Sequence, residues 1–99
     1  INTAIRKLPG CAYLYYNRSC IYNALHKSQA ALKDLDQAIA LDHRLAEAYY
    51  NRAVIRLQNK ETENVTADLS RAGELGLYKA YCLLKQAQTK KTQHKVKRK

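Results

Sequence analysis

The sequence predicts an all-α chain of stacked antiparallel helix pairs, and three observations carry that expectation. Tyr15-Tyr16-Asn17-Arg18 recurs as Tyr49-Tyr50-Asn51-Arg52, 34 residues on. Laying residues 12–45 over 46–79 gives ten identical pairs, where unrelated segments share about two. They are Ala12/Ala46, the four of the tyrosine block, Ile21/Ile55, Asp34/Asp68, Leu35/Leu69, Ala38/Ala72 and Leu41/Leu75. Within each unit the apolar residues recur at three- and four-residue spacing, the period of a helix with one buried face.

Taken in order, residues 1–8 read as the end of a helix, stopped by Pro9-Gly10 because proline cannot continue the helical hydrogen-bond ladder. Leu14, Tyr15, Ile21, Tyr22 and Leu25 place a first helix over 11–25. Ser28 and Thr62, one repeat apart, are residues whose hydroxyl can accept from a free backbone N–H, so both are expected as N-caps of second helices. The helix over 29–41 carries Ala31, Leu32, Leu35, Ala38 and Ile39 on one stripe, with Lys33, Asp34, Asp36 and Gln37 outside it. Residues 45–58 repeat the first helix and 63–74 the second, with Gly73 and Gly76 at its end. A further first-type helix over 78–88 is expected to cap the stack, and the cationic residues after Thr89 to be disordered or frayed. The division that results is 1–10, the end of a preceding repeat helix; 11–44 and 45–77, two repeats; 78–89, a capping helix; and 90–99, a basic tail.

Small and aromatic residues hold fixed places in the unit: Tyr15/Tyr49, Ser19/Ala53/Ala87, Ala31/Val65, Leu35/Leu69 and Ala4/Ala38/Ala72. A 34-residue helix–turn–helix with this pattern resembles the tetratricopeptide repeat (TPR). The resemblance covers nearly everything up to Gln88 and implies a right-handed superhelix, a TPR-like α-solenoid, of a family known mainly as binding scaffolds. It also makes the chain the expected C-terminal fragment of a longer repeat protein. The departures are specific. Tyrosine stands for the frequent early tryptophan, Arg18-Ser19 and Arg52-Ala53 stand for Leu-Gly, and the usual proline appears only as Pro9. The glycine of the turn within the repeat is replaced by His26-Lys27 and Lys60-Glu61.

Ninety-nine residues with a net charge of +10 raise the question of a nucleic-acid partner. Residues 1–78 carry ten Lys/Arg against eight Asp/Glu, and residues 79–99 carry eight against none, so the basicity belongs to the end of the chain. No apolar run approaches the length of a membrane span, and no charged-then-apolar leader is present. Three cysteines without paired spacing speak against a disulfide framework and favour a reducing, cytoplasmic compartment, with an exported location left open.

Catalysis finds little support, and no cofactor is expected. Cys20 and His26 are six residues apart, which does not set a nucleophile against its base. Cys11, Cys20, Cys82, His26, His43 and His94 lack the close paired spacing of a zinc site, and Gly73-x-x-Gly76 lacks the strand of a phosphate loop. A groove is the remaining surface. In the resembled family first helices line the concave face, which puts Tyr13, Tyr16, Asn17, Cys20 and Asn23 there from unit one. Unit two adds Glu47, Tyr50, Asn51, Val54 and Gln58, and the terminal helix Tyr81 and Lys85. Asn17 and Asn51 are the central pair, because an amide donates and accepts and can hold the backbone of an extended peptide. Their structural alternative is hydrogen bonding to neighbouring helices. Tyr16 and Tyr50 offer flat contact area, Tyr15 and Tyr49 read as packing residues, and Arg18 and Arg52 as salt-bridge partners of Asp34 and Asp68.

The expected function is therefore a non-enzymatic scaffold that binds another protein's segment in the groove. One alternative is nucleic-acid or anionic-surface binding through Lys90, Lys91, Lys95, Lys97, Arg98 and Lys99; another is an accessory domain of an upstream enzyme. Self-association is expected through an apolar edge of Ile1, Ala4, Ile5 and Leu8. Members of the resembled family that hold acidic chaperone tails use a clamp of cations and asparagines. Of that clamp only Asn51 and Lys85 are matched, Tyr16, Cys20 and Tyr81 stand at other clamp positions, and Glu47 would oppose an anion.

Overall fold

The computed structural model describes residues 2–61 and 64–86, and all its regular structure there is helical. The helices are α1 (Asn2–Lys7), α2 (Ala12–Ala24), α3 (Ser28–Leu41), α4 (Ala46–Gln58) and α5 (Val65–Glu74), followed by helix α6 running through residues 79–86. The tail lysines and Arg98, together with Ile1, Thr62 and Gln88, lie outside the described residues. Each helix packs on its neighbours in sequence: α2 on α3, α4 on α5, α3 on α4, and α1 on α2. The short turns make those neighbours antiparallel.

Two apolar clusters hold the helices together. In the first, Ala31, Leu32, Leu35 and Ala38 of α3 meet Leu45, Ala48 and Ile55, with Tyr15, Tyr16 and Tyr22 against its margin. In the second, Ala53 meets Val65, Leu69 and Ala72 of α5 and Ala80 of α6, flanked by Tyr49, Tyr50, Leu83 and Leu84. Leu35 and Leu69, one repeat apart, are both fully buried. The alanines around them let helix axes approach closely, so the small places in the repeat act through backbone distance as much as through their own area.

The expected salt bridges are present, and they reach further than the sequence pattern indicated. Arg18 grips Asp34 with Nε to Oδ2 at 2.8 Å and Nη2 to Oδ1 at 2.7 Å. Arg52 grips Asp68 with the same two distances. The third guanidinium nitrogen points the other way along the chain: Nη1 of Arg52 donates to Asp36 at 2.9 Å, and Nη1 of Arg18 to Asn2 at 3.1 Å. Asn2 is one repeat before Asp36, so one arginine per unit ties its own second helix to the preceding one. The hydrogen bonds the two arginines donate to Asp34 and Asp68 raise the pKa of both above the ordinary value.

Ser28 does not cap α3. It is the first helical residue, preceded by Lys27, which makes no side-chain capping bond. The turn before it explains the displacement. His26 sits at φ 61°, and the N–H of Lys27 bonds back to the carbonyl of Tyr22 at 2.8 Å, which closes α2 with a left-handed residue. The same turn follows α4, with Lys60 at φ 62° and Glu61 N–H on the carbonyl of Arg56. It recurs after α5, where Gly76 takes the place at φ 107° and Leu77 N–H bonds to Ala72. Glycine enters that conformation without the clash of a Cβ with its own carbonyl. Replacing His26 or Lys60 by glycine is therefore expected to stabilise the chain by about 0.5–1 kcal/mol each, after the extra freedom of the unfolded glycine is set against the relieved strain. Thermal unfolding followed by circular dichroism checks this, and a fall in midpoint for both variants would refute it.

The N-terminal edge also differs from expectation. Ile5 is buried and Ala4 half-buried against α2, so of the described edge residues only Leu8 is an exposed large apolar side chain. Other exposed large aliphatic side chains are Ile21 near the end of α2, Leu25 just after it, and Leu41 at the end of α3.

Candidate functional site

The site is built on α2 and α4, the first helices of the two units. Cys20 and Asn23 of α2 face Asn51, Val54 and Ile55 of α4 across an open recess of about 130 Å³, with Ser19 at its base. Ser19 is buried because it occupies the small-residue place that Ala53 holds in unit two, and its hydroxyl donates to the carbonyl of Tyr16. That bond silences the one hydroxyl at the floor. The walls are left with two amides, a thiol and the methyls of Val54.

Asn51 spans the recess, its Nδ2 donating to Sγ of Cys20 at 3.6 Å. The phenol of Tyr16 stands at the same junction. Burial first, then the neighbouring Cys20, push its pKa up; Glu47 adds to the rise, while a hydrogen bond from Asn51 opposes it. Tyr13 packs edge-on to Tyr16 with centroids 5.8 Å apart, extending the aromatic wall towards the start of α2. Six of the residues expected to line a groove, Tyr13, Tyr16, Cys20, Asn23, Asn51 and Val54, thus belong to one connected surface.

The others lie apart from it or are engaged elsewhere. Asn17 is exposed one turn before Cys20. The amide of Asn51 is directed at Cys20, which is the structural alternative weighed for these residues and leaves Asn17 as the amide open to a ligand. Tyr50 packs against the second cluster and is covered by Lys79, whose Nζ lies 4.7 Å from its ring centroid. Gln58, the last residue of α4, and Lys85 are exposed. Tyr81 turns its ring onto α5: a Cβ on Gly73 would come within 2.5 Å of its Cζ. Gly73 stands where unit one has Ile39, and that missing side chain is the room the ring occupies. It was the available signal, a glycine at an interior helix position followed by a large aromatic.

Tyr15 and Tyr49 are packing residues, as their place in the repeat implied. Tyr15 lies against the first cluster and Tyr49 against the second, and the guanidiniums of Arg18 and Arg52 sit 5.7 Å from their respective ring centroids. Cys11, Cys20 and Cys82 are all free thiols. No helix among the described residues is long and apolar enough to cross a membrane.

Fold and site together define an all-helical protein, over the described residues, with a recess between helices in matching places of its sequence repeat. No protein-family model matches the chain, and no curated protein matches it.

Proposed function

We propose that the chain is a non-enzymatic interaction scaffold, a right-handed TPR-like stack of helix pairs that holds an extended segment of another protein along α2 and α4. The observation that carries this reading is the recess itself, walled by side chains from the first helices of both repeats. Its chemistry suits a peptide in two respects. Asn23 in the recess and the exposed Asn17 one turn before Cys20 can donate to and accept from a peptide backbone, and Val54 with the edge of Tyr16 offers apolar contact for one small side chain. Glu47 beside Tyr16 adds negative charge to the surface, which favours a neutral or basic segment over an acidic one. An acidic chaperone-tail peptide is accordingly a poor ligand.

Selection from a random-peptide display library on the immobilised chain tests the reading. Selected peptides should bind in solution and lose about tenfold or more in affinity on Asn23→Ala, and on Val54→Lys, which fills the recess with a long cation. A library that yields no binder, or binders indifferent to both variants, would overturn it.

A further inference from the structure

Twice in this chain an arginine is held between a tyrosine ring and a carboxylate. Arg18 lies 5.7 Å from the ring centroid of Tyr15 and forks onto Asp34, and Arg52 repeats both contacts with Tyr49 and Asp68. A third combination of the same groups stands beside the recess. Because α2 and α4 are each antiparallel to α3, they run parallel to one another, and Asn51 of α4 reaches Cys20 of α2 at 3.6 Å. Four residues back along each helix, one turn before that contact, Tyr16 comes opposite Glu47. The Tyr16 phenol, whose pKa is raised first by burial and then by Cys20, also feels the Glu47 carboxylate, in keeping with that placing. Tyr13, 54% exposed and edge-on to Tyr16, completes a corner of two rings and one carboxylate.

Among the described residues no cation pairs with this corner. Glu47 makes no salt bridge there, and no lysine or arginine lies over the ring of Tyr13 or Tyr16. Unit two differs: Tyr50, which holds the place of Tyr16, is covered by Lys79. One repeat before Lys79 stands Leu45, buried in the first cluster and without charge. A carboxylate beside aromatic rings suits a planar cation, which stacks on a ring and forks onto the two oxygens at once. The net charge of +10 opposes a cationic ligand, but salt screens that opposition over about 8 Å, whereas Glu47 acts at contact range.

We propose that the corner of Tyr13, Tyr16 and Glu47 receives an arginine side chain of the peptide segment held along α2 and α4, an inference that rests on the scaffold reading. The corner lies about 6 Å along the helices from the contact of Asn51 with Cys20, the rise of four residues, and an extended peptide covers that distance in about two. Alternate side chains of an extended peptide point the same way, so the arginine belongs two places from the small residue that enters the recess. The recess then sets the register and the corner sets the charge.

The test is display selection of random peptides run in parallel on the full chain and on its Glu47→Gln variant. On the parent, arginine should be enriched about fivefold over its library frequency two places from a small residue, and on Glu47→Gln peptides should still be selected without that enrichment. A selected peptide carrying citrulline, the neutral isostere, in place of its arginine should lose about tenfold in affinity for the parent and less than about twofold for Glu47→Gln. Tyr13→Ala, a change at an exposed side chain, should cost the arginine peptide about fivefold. The citrulline loss on the parent is read on the unaltered chain, so it holds however a variant folds. Parent-selected peptides that lack the arginine yet weaken on Asn23→Ala would overturn this inference and leave the scaffold reading standing, as would equal citrulline losses on both chains. A selection without any binder would overturn both.

Discussion

Leu35→Ala is expected to lower the free energy of unfolding by about 3–4 kcal/mol, and Leu69→Ala by a similar amount. Both side chains are fully buried, so truncation removes the whole transfer contribution of the deleted carbons. The neighbours decide where in the observed range the loss falls. Around Leu35 stand Ala31, Ala38 and Ala48, and around Leu69 stand Ala53, Ala72 and Ala80. Alanines have no rotamer with which to fill a void, so on their side the site relaxes only by moving helix axes, and much of the cavity persists. For a domain of this size the loss is a large share of a total of about 5–10 kcal/mol. Urea unfolding should show a lower midpoint at unchanged slope, with Leu25→Ala, an exposed position, within about 0.5 kcal/mol of the parent. A loss below about 1.5 kcal/mol for both leucines would mean that the helices close the gap, and that the packing around them is looser than the buried areas imply.

These leucines were legible because they are identical at an offset of 34 and stand at helical spacing from small residues in both units, the pattern of a buried leucine among alanines. The same logic found Arg18 with Asp34 and Arg52 with Asp68. It missed Asp36 and Asn2, the second partners of those arginines, because the two residues differ in type while sharing a place and a role as acceptor. Ser28 was misread for a local reason: a capping residue type is only a candidate until the turn before it is known, and the left-handed His26 sets the helix start one residue earlier. The exposure of Ile21 and Leu25 was out of reach of periodicity, which shows that residues share a face but not what lies against it. Within the candidate site, the amide places were readable from the repeat. The reach of Asn51 to Cys20 depends on the stagger between α2 and α4, and no pattern within either helix encodes that.

Arg18→Ala should destabilise the chain more than Arg52→Ala, although Arg52 pairs with two carboxylates and Arg18 with one. Asp34 and Asp68 are equally buried, each 4% exposed, and each takes a forked pair of hydrogen bonds from its arginine. What differs is the reserve. Asp68 also receives Nη1 of Arg56 at 3.3 Å, whereas the place of Arg56 in unit one is held by Tyr22. Removing Arg52 therefore leaves Asp68 one cation and releases Asp36, which is largely exposed and is rehydrated at little cost. Removing Arg18 strips Asp34 of its only ion-pair partner among the described residues. An unpaired buried carboxylate costs about 3–5 kcal/mol, so about 3 kcal/mol is expected for Arg18→Ala and about 1.5 kcal/mol for Arg52→Ala. If the cost lies in the orphaned charge, Arg18→Met combined with Asp34→Leu should recover most of it and fall within about 1 kcal/mol of the parent. Arg18→Lys should recover only part, because an ammonium cannot supply the fork to Asp34 and the third bond to Asn2 together. Urea unfolding of the four variants orders them. An Arg52→Ala loss equal to or greater than that of Arg18→Ala would show that Arg56 gives Asp68 no protection, and a double variant as unstable as Arg18→Ala would place the cost in the guanidinium's contacts with Tyr15, Tyr22 and Asn2, which methionine cannot make.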